Sequence, residues 1–278
     1  MKQEEMSEFI KNSFKSINEY FHKAITTFEA EDIFKFRSEV KRLKFFLHLV
    51  SMESEDGLSF HITRRMKIIY GYLGIIQNFH LQLKEASEYV KKSSKPMPVA
   101  YINMLEKELE NWKKLSKDYI DPDYNFLNDE YEILNTLPDK FTNKSTISFI
   151  NYLHFEIREM SGHQDEEALN DIRKFMEDIY YNLPFLKPYL INPQSILLDE
   201  KELSEFLCLF GNFQDKCTAA AILQTIKVDA LDGQEKQLIK QMADDLLHEK
   251  KEINKQLAVK LDSMHIAERN LNELSLQE

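Results

Sequence analysis

Turn-forming residues are scarce in this chain, with 6 Gly and 7 Pro in 278 residues. Sandwiches, barrels and doubly wound sheets need frequent tight turns, so the scarcity argues against all three. Cysteine is nearly absent. Cys208 and Cys217 are the only two, and their spacing suits neither a disulfide framework nor a zinc knuckle, so buried free thiols are expected. No stretch approaches the roughly 18 consecutive apolar residues of a membrane span. Met1 to Glu8 is polar and acidic, unlike a signal peptide. A cytoplasmic protein with no membrane partner is the expectation. Positive charge is short as well: 36 Lys and Arg face 47 Asp and Glu, a net charge of −11. Duplex DNA, which is held by a field of cations, is therefore not an expected partner. The deficit is uneven, with 20 basic and 23 acidic residues in 1–139 against 16 and 24 in 140–278. A local basic patch in the first half remains compatible with these totals.

What the chain has in abundance is apolar residues at three-and-four spacing. Phe9, Ile10, Phe14, Ile17, Tyr20, Phe21 and Ile25 make one stripe, and Ile33, Phe36, Val40, Leu43 and Leu47 make another; both are helical periods. Further helices are predicted over 62–90, 99–115, 128–137, 147–160, 166–182, 203–228 and about 234–275. No period-2 run of strand length occurs, so the fold class is all-α. Lys95-Pro96-Met97-Pro98, Asp121-Pro122-Asp123 and Leu137-Pro138 supply stops, and Pro188 to Pro193 the longest irregular link. The last helix carries Leu238, Met242, Leu246, Ile253, Leu257, Leu261 and Met264 on one face. Its heptads are irregular, so it reads as a surface helix on the body rather than a coiled-coil partner.

The chain also echoes itself. Leu73-Gly74-Ile75-Ile76-Gln77-Asn78 returns as Phe210-Gly211-Asn212-Phe213-Gln214-Asp215, and Ala30 to Arg37 returns as Glu166 to Arg173. The offsets are 137 and 136 residues, and Phe9-Ile10 recurs as Phe149-Ile150 at 140. Two repeats, about 1–139 and 140–278, are expected to form an internally duplicated pair of helical bundles. Each half should bury its own stripes and meet the other across a pseudo-twofold interface, a natural place for a groove. Glycine inside a helix costs roughly 1 kcal/mol relative to alanine, so Gly74 and Gly211 are expected to permit a close approach or a break.

Chemistry is most concentrated on the second helix. Arg37, Lys41, Lys44 and His48 follow one face, with Arg42 beside them. Such a stripe needs solvent, carboxylates or an anionic ligand to offset its repulsion. A multivalent phosphate would use several of these donors together, and Arg64, Arg65 and Lys67 could face the same space. The alternative is a solvated helix face with Glu31, Asp32 and Glu39 as salt partners, which is what charge runs usually are. In the second half the corresponding residues are Arg173, Glu177 and Tyr180, where Arg173 and Glu177 have the spacing of an internal ion pair.

These residues resemble the CHAD domain (conserved histidine α-helical domain), whose repeats carry a pattern like His-x-x-Arg-x-x-x-Arg-Arg-Leu-Arg. Phe34 to Lys44 is similar to it in register, with cations at Arg37, Lys41, Arg42 and Lys44. The segments at Gly74 and Gly211 resemble the family's downstream Leu-Gly-x-x-(Arg/His)-Asp. The likeness runs from about Ser7 to Val228. It departs at the two namesake histidines, here Phe34 and Asn170, at Gln77 and Gln214, and at Asp171, Glu177, Asp178 and Tyr180 of the second repeat. The resemblance implies one domain over 1–278 and non-catalytic binding of inorganic polyphosphate or another polyanion in a basic groove. Arg37, Lys41, Arg42 and Lys44 would be donors and Arg64, Arg65 and Arg173 supports. The alternative is a helical scaffold or protein-interaction protein that has lost that ligand, with Tyr180, Tyr181 and Phe185 in core or on a partner surface.

Remaining motifs are weaker. Glu19-x-x-His22 has di-iron spacing but lacks a second pair, and Glu159 with His163 or Asp245 with His248 brings too few ligands for a metal. Phosphate-loop, nucleophile-elbow and zinc-protease patterns do not occur. No metal, cofactor or catalytic group is expected, although a cryptic enzyme acting on a phosphorylated small molecule is a third class of reading.

Overall fold

A computed structural model describes residues 1–53, 61–93, 95–162, 165–187, 200–225 and 231–275, with side chains of the last helix as far as Ser263. The expected Pro188 to Pro193 link, the 226–228 end of the eighth helix, His163 and the side chain of Met264 lie outside the described residues. The described residues are all-α: α1 (Gln3–Thr27), α2 (Ala30–Ser51), α3 (Arg64–Ser93), α4 (Val99–Tyr119), α5 (Leu127–Thr136), α6 (Asn143–Met160), α7 (Glu166–Leu186), α8 (Glu200–Thr225) and α9 (Gly233–Ser275). β pairing among them is confined to one antiparallel bridge between Lys2 and Lys140. None of these helices is long and apolar enough to cross a membrane.

Local chemistry explains the boundaries. α1 ends at Phe28, whose left-handed φ of 52° turns the chain into α2, and His80 Nε2 lies 2.8 Å from the Phe28 carbonyl oxygen. Asp165 caps α7 by accepting from the Ala168 N–H at 2.9 Å. The helix predicted over 166–182 runs on to Leu186, with Pro184 inside its last turn. Leu183 and Leu186 are buried there, so tertiary packing holds the last turn while the proline ring faces solvent.

Each helix packs on the next within two series, α1 on α2, α2 on α3, α3 on α4, and then α6 on α7, α7 on α8, α8 on α9. The series meet where α2 touches α7 and α3 touches α8. Burial does not respect the halves. The main apolar cluster joins Phe14, Phe21, Phe36 and Phe46 to Phe149, Ile172, Phe210 and Leu257, and a smaller one joins Tyr101 and Leu105 to Leu223, Met242 and Leu246. The apolar core is thus continuous across the α2–α7 and α3–α8 contacts. α9 lies on α8 with Leu238, Met242, Leu246, Leu257 and Leu261 buried.

One carboxylate bridges the halves at a helix start. Glu53 Oε2 accepts from the Thr142 N–H at 2.8 Å and from its hydroxyl at 3.0 Å, placing negative charge at the N-terminus of α6. Burial pushes the Glu53 carboxyl up, but hydrogen bonds from Ser145 and Thr142 outweigh it and hold the group below the usual glutamate value. A depressed folded value stabilises above the unfolded value and is lost as pH falls through the folded one. Glu53→Gln is therefore expected to cost about 1 kcal/mol at neutral pH. The gap to the parent should close below pH ~4, where glutamate protonates in the unfolded chain. Urea midpoints across pH check this.

Candidate anion site between the second and seventh helices

The basic stripe of α2 lies against α7 and α3, and each of its members meets a different neighbour. Arg37 Nη1 donates to Gln77 Oε1 at 2.9 Å, and its guanidinium lies 4.4 Å from the centre of the Tyr70 ring. Gly74 makes room for this arrangement, because a Cβ there would stand 2.9 Å from Arg37 Nη1. Lys41 Nζ donates to Glu177 Oε1 at 2.8 Å. The same oxygen accepts from Arg173 Nη1 at 2.5 Å, and Arg173 Nη2 donates to Asn170 Oδ1 at 2.8 Å. The side chains of Glu177 and Arg173 are only 12% and 18% exposed, so one nearly buried carboxylate neutralises a cation from each half.

A second carboxylate lies one position along. Asp178 Oδ2 is paired with His48 Nδ1, and its Oδ1 accepts from the buried Asn182 side chain at 3.0 Å. Asn182 also donates to the Phe45 carbonyl at 2.9 Å, tying α7 to α2. Burial pushes the Asp178 carboxyl above the usual aspartate value against the opposing pull of His48, Lys44 and Asn182. Nearby, the Tyr181 ring stacks on Phe45 at 5.4 Å. Burial, reinforced by Glu177 and by the Tyr70, Tyr180 and Glu39 side chains, pushes its hydroxyl up to about 12, keeping it a neutral donor.

The remaining stripe members sit at the rim. Arg42 lies 3.8 Å from Glu39 and covers the Phe9 ring, while Lys44 is exposed, 5.2 Å over the Phe45 ring. Of the local acids expected as salt partners, only Glu39 serves the stripe. Glu31 pairs with Lys35 and Asp32 accepts from Thr27. Arg64 and Arg65 do not join the cluster. They begin α3, roughly 15 Å along the helix from Gly74 at about 1.5 Å per residue. Arg65 stacks 3.7 Å over Tyr124 instead.

The two glycine segments differ in what they do. Gln77 holds Arg37, whereas Gln214 is exposed and Arg173 turns to Glu177. Nothing lies within 4 Å of a Cβ built on Gly211, so the expected close approach exists at Gly74 alone. Gly211→Ala is expected to stabilise the fold by about 1 kcal/mol. Gly74→Ala should fall short of that by at least about 1 kcal/mol, since the new methyl displaces Arg37 from Gln77; thermal unfolding of the two variants checks both.

Cys208 is exposed and Cys217 half-buried, so the buried-thiol expectation is corrected for Cys208. Leu203, Phe206, Phe210 and Phe213 take the inward face of α8 and leave Cys208 outside. Glu19 is committed to Lys23 at 2.7 Å. Phe185 packs edge-on against Phe9 at 5.2 Å, on the core side. The His48–Asp178 pair was not foreseen from sequence; the signal for it was a histidine closing a cationic stripe with no counter-charge assigned.

No protein-family model and no curated protein matches the chain. Among solved structures, it is similar to the crystal structure of the CHAD domain from the plant Ricinus communis. The TM-score is 0.69 at 14% identity, over 95% of this chain and 90% of that one.

Proposed function

Starting from this CHAD-like fold, we propose that the protein is a non-catalytic helical scaffold that holds protein partners, its central basic cluster neutralised by its own carboxylates. The observation that carries this reading is the shared Glu177 oxygen, which accepts from both Lys41 and Arg173. The resemblance would assign Lys41 and Arg37 to polyphosphate as donors, with Arg173 as a support. A polyanion entering between α2 and α7 would have to displace a carboxylate that already satisfies two of them. Desolvated charge pairs are specific about geometry even where their net stabilisation is small, which suits a structural role.

The same contacts support two repeats related by a pseudo-twofold axis. Lys41 and Glu177 are 136 residues apart, and so are Phe45 and Tyr181, since 181 − 45 = 136. That is the sequence offset of Arg37 and Arg173. Equivalent positions touch only next to an axis, and these two pairs lie one helical turn apart on α2 and α7.

Polyphosphate binding is the second reading, favoured by the Nε atoms of Arg37 and Arg173, which are buried without a hydrogen-bond partner, and by exposed Lys44. Calorimetric titration with long-chain polyphosphate separates the two. The scaffold reading expects no saturable heat at about 0.15 M salt, where exposed charges are screened. Saturable binding that weakens steeply with salt and with Lys41→Glu would establish the second reading instead.

A further inference from the structure

Away from the central cluster, α3 and α4 present a face of unusual composition for so acidic a chain. Arg64, Ile68 and Tyr72 follow one another at four-residue spacing on α3, and Trp112, Leu115 and Tyr119 line the antiparallel end of α4. Tyr72 stacks on Tyr119 with ring centres 5.2 Å apart and meets Trp112 at 5.9 Å. Tyr119 is 54% and Leu115 49% exposed. A cleft of about 500 Å³ opens there, lined by Arg64, Arg65, Ile68 and Tyr119.

The two arginines are held differently. Arg65 is fixed over the Tyr124 ring, whose hydroxyl donates to the buried Asp129 carboxylate at 2.8 Å. Arg65 in turn lines the cleft. Arg64 is exposed and forms no ion pair among the described residues. Tryptophan, tyrosine and arginine are the residues that most often carry binding energy at protein interfaces, and an aromatic shelf ending in an exposed guanidinium asks for an apolar anchor beside a carboxylate.

We propose that this face is a docking site for an acidic peptide segment of a partner protein, with an aromatic or leucine anchor on the Tyr119 shelf and carboxylates against Arg64 and Arg65. The cleft volume falls within the range of about 300–1,000 Å³ that accepts a compact ligand or anchor. Charge selects the occupant. Two guanidiniums suit a short acidic motif, whereas a nucleic acid strand needs a longer track of cations, and the net charge of −11 opposes one. The proposal deepens the scaffold reading by naming its partner class, but it stands on different residues, so the two can fail separately.

Trp112 is the single tryptophan of the chain, which makes its fluorescence a direct probe of this face. The full chain is used to select short peptides from a display library, and the selected peptides, free of tryptophan, are titrated while Trp112 emission is followed. The expected result is enrichment of acidic sequences with one apolar anchor, with affinity falling roughly tenfold in Arg64→Glu or Tyr119→Ala. Unfolding midpoints of both variants should stay close to the parent, because both side chains are exposed. Enrichment of nothing, of basic sequences, or of peptides that bind both variants equally would overturn the proposal. So would tighter quenching by a single-stranded oligonucleotide, or concentration-dependent self-association abolished by Tyr119→Ala. Polyphosphate binding elsewhere would contradict the scaffold reading and leave these titrations unchanged.

Discussion

Replacing Glu177 by alanine is expected to cost about 2 kcal/mol of stability and to make the loss recoverable with tripolyphosphate. Lys41 and Arg173 donate to one Glu177 oxygen, and without it two cations face each other with no counter-charge between them. Removing one partner of a buried ion pair typically costs about 3–5 kcal/mol. Lys41 keeps 31% of its side-chain surface in water, which places this site below that range. An anion that binds only the folded variant restores stability by mass action, about 2.7 kcal/mol at a hundredfold excess over its dissociation constant. Urea unfolding with and without tripolyphosphate checks the pattern. The parent should shift by no more than about 0.5 kcal/mol, within the noise of surface effects, while the variant should recover most of its loss. Glu177→Gln, which keeps an acceptor oxygen, is expected to lose less.

Asp178 gives the second large effect. Asp178→Ala strips partners from His48 and from the buried Asn182, and is expected to cost about 3 kcal/mol through unsatisfied buried groups and lost packing. Asp178→Asn should cost under about 1 kcal/mol at neutral pH, since an amide can still accept from Asn182 and hydrogen-bond the His48 ring. The pH dependence has a definite sign. Burial raises the folded carboxyl above its unfolded value, so the native state holds its proton more tightly than the unfolded chain does. Its contribution is therefore greatest below the ordinary aspartate value near pH ~3.9 and is lost as pH rises through the folded value. Measured midpoints should move in favour of Asp178→Asn as pH is raised across that window. This is the opposite of the behaviour expected at Glu53, and a gap that instead widened against Asp178→Asn on raising pH would show the wrong sign.

Helices and their faces were legible in the sequence because burial in an all-α chain imposes a 3.6-residue period that needs no knowledge of partners. Phe14, Ile17 and Phe21 are predicted as one stripe and are fully buried. Cationic residues on α2 were legible too, and the Arg173–Glu177 pair followed from its i, i+4 spacing. Long-range pairing was not. Nothing in the local sequence says that Lys41 will find Glu177 across the halves, because that depends on where α2 crosses α7. Arg64 and Arg65 share the sign of the stripe but begin a 30-residue helix, so distance along α3 separates them from it. Glycine misled in one half: Gly74 and Gly211 match in sequence, yet only Gly74 faces a side chain that needs the space. Cys208 was misplaced because apolar character alone does not say which side of α8 faces inward.

If Glu177 neutralises the basic stripe, it is energetically coupled to Lys41, and a double-mutant cycle of Lys41→Met and Glu177→Gln measures that coupling. Residues in direct contact within one charge network show coupling of about 0.5–3 kcal/mol, whereas independent sites add within about 0.5 kcal/mol. Urea unfolding of the parent, both single variants and the double variant is expected to give a favourable coupling of about 1–2 kcal/mol, reduced by added salt. Strictly additive losses would mean that Lys41 is not committed to Glu177, and would contradict a cluster neutralised from within.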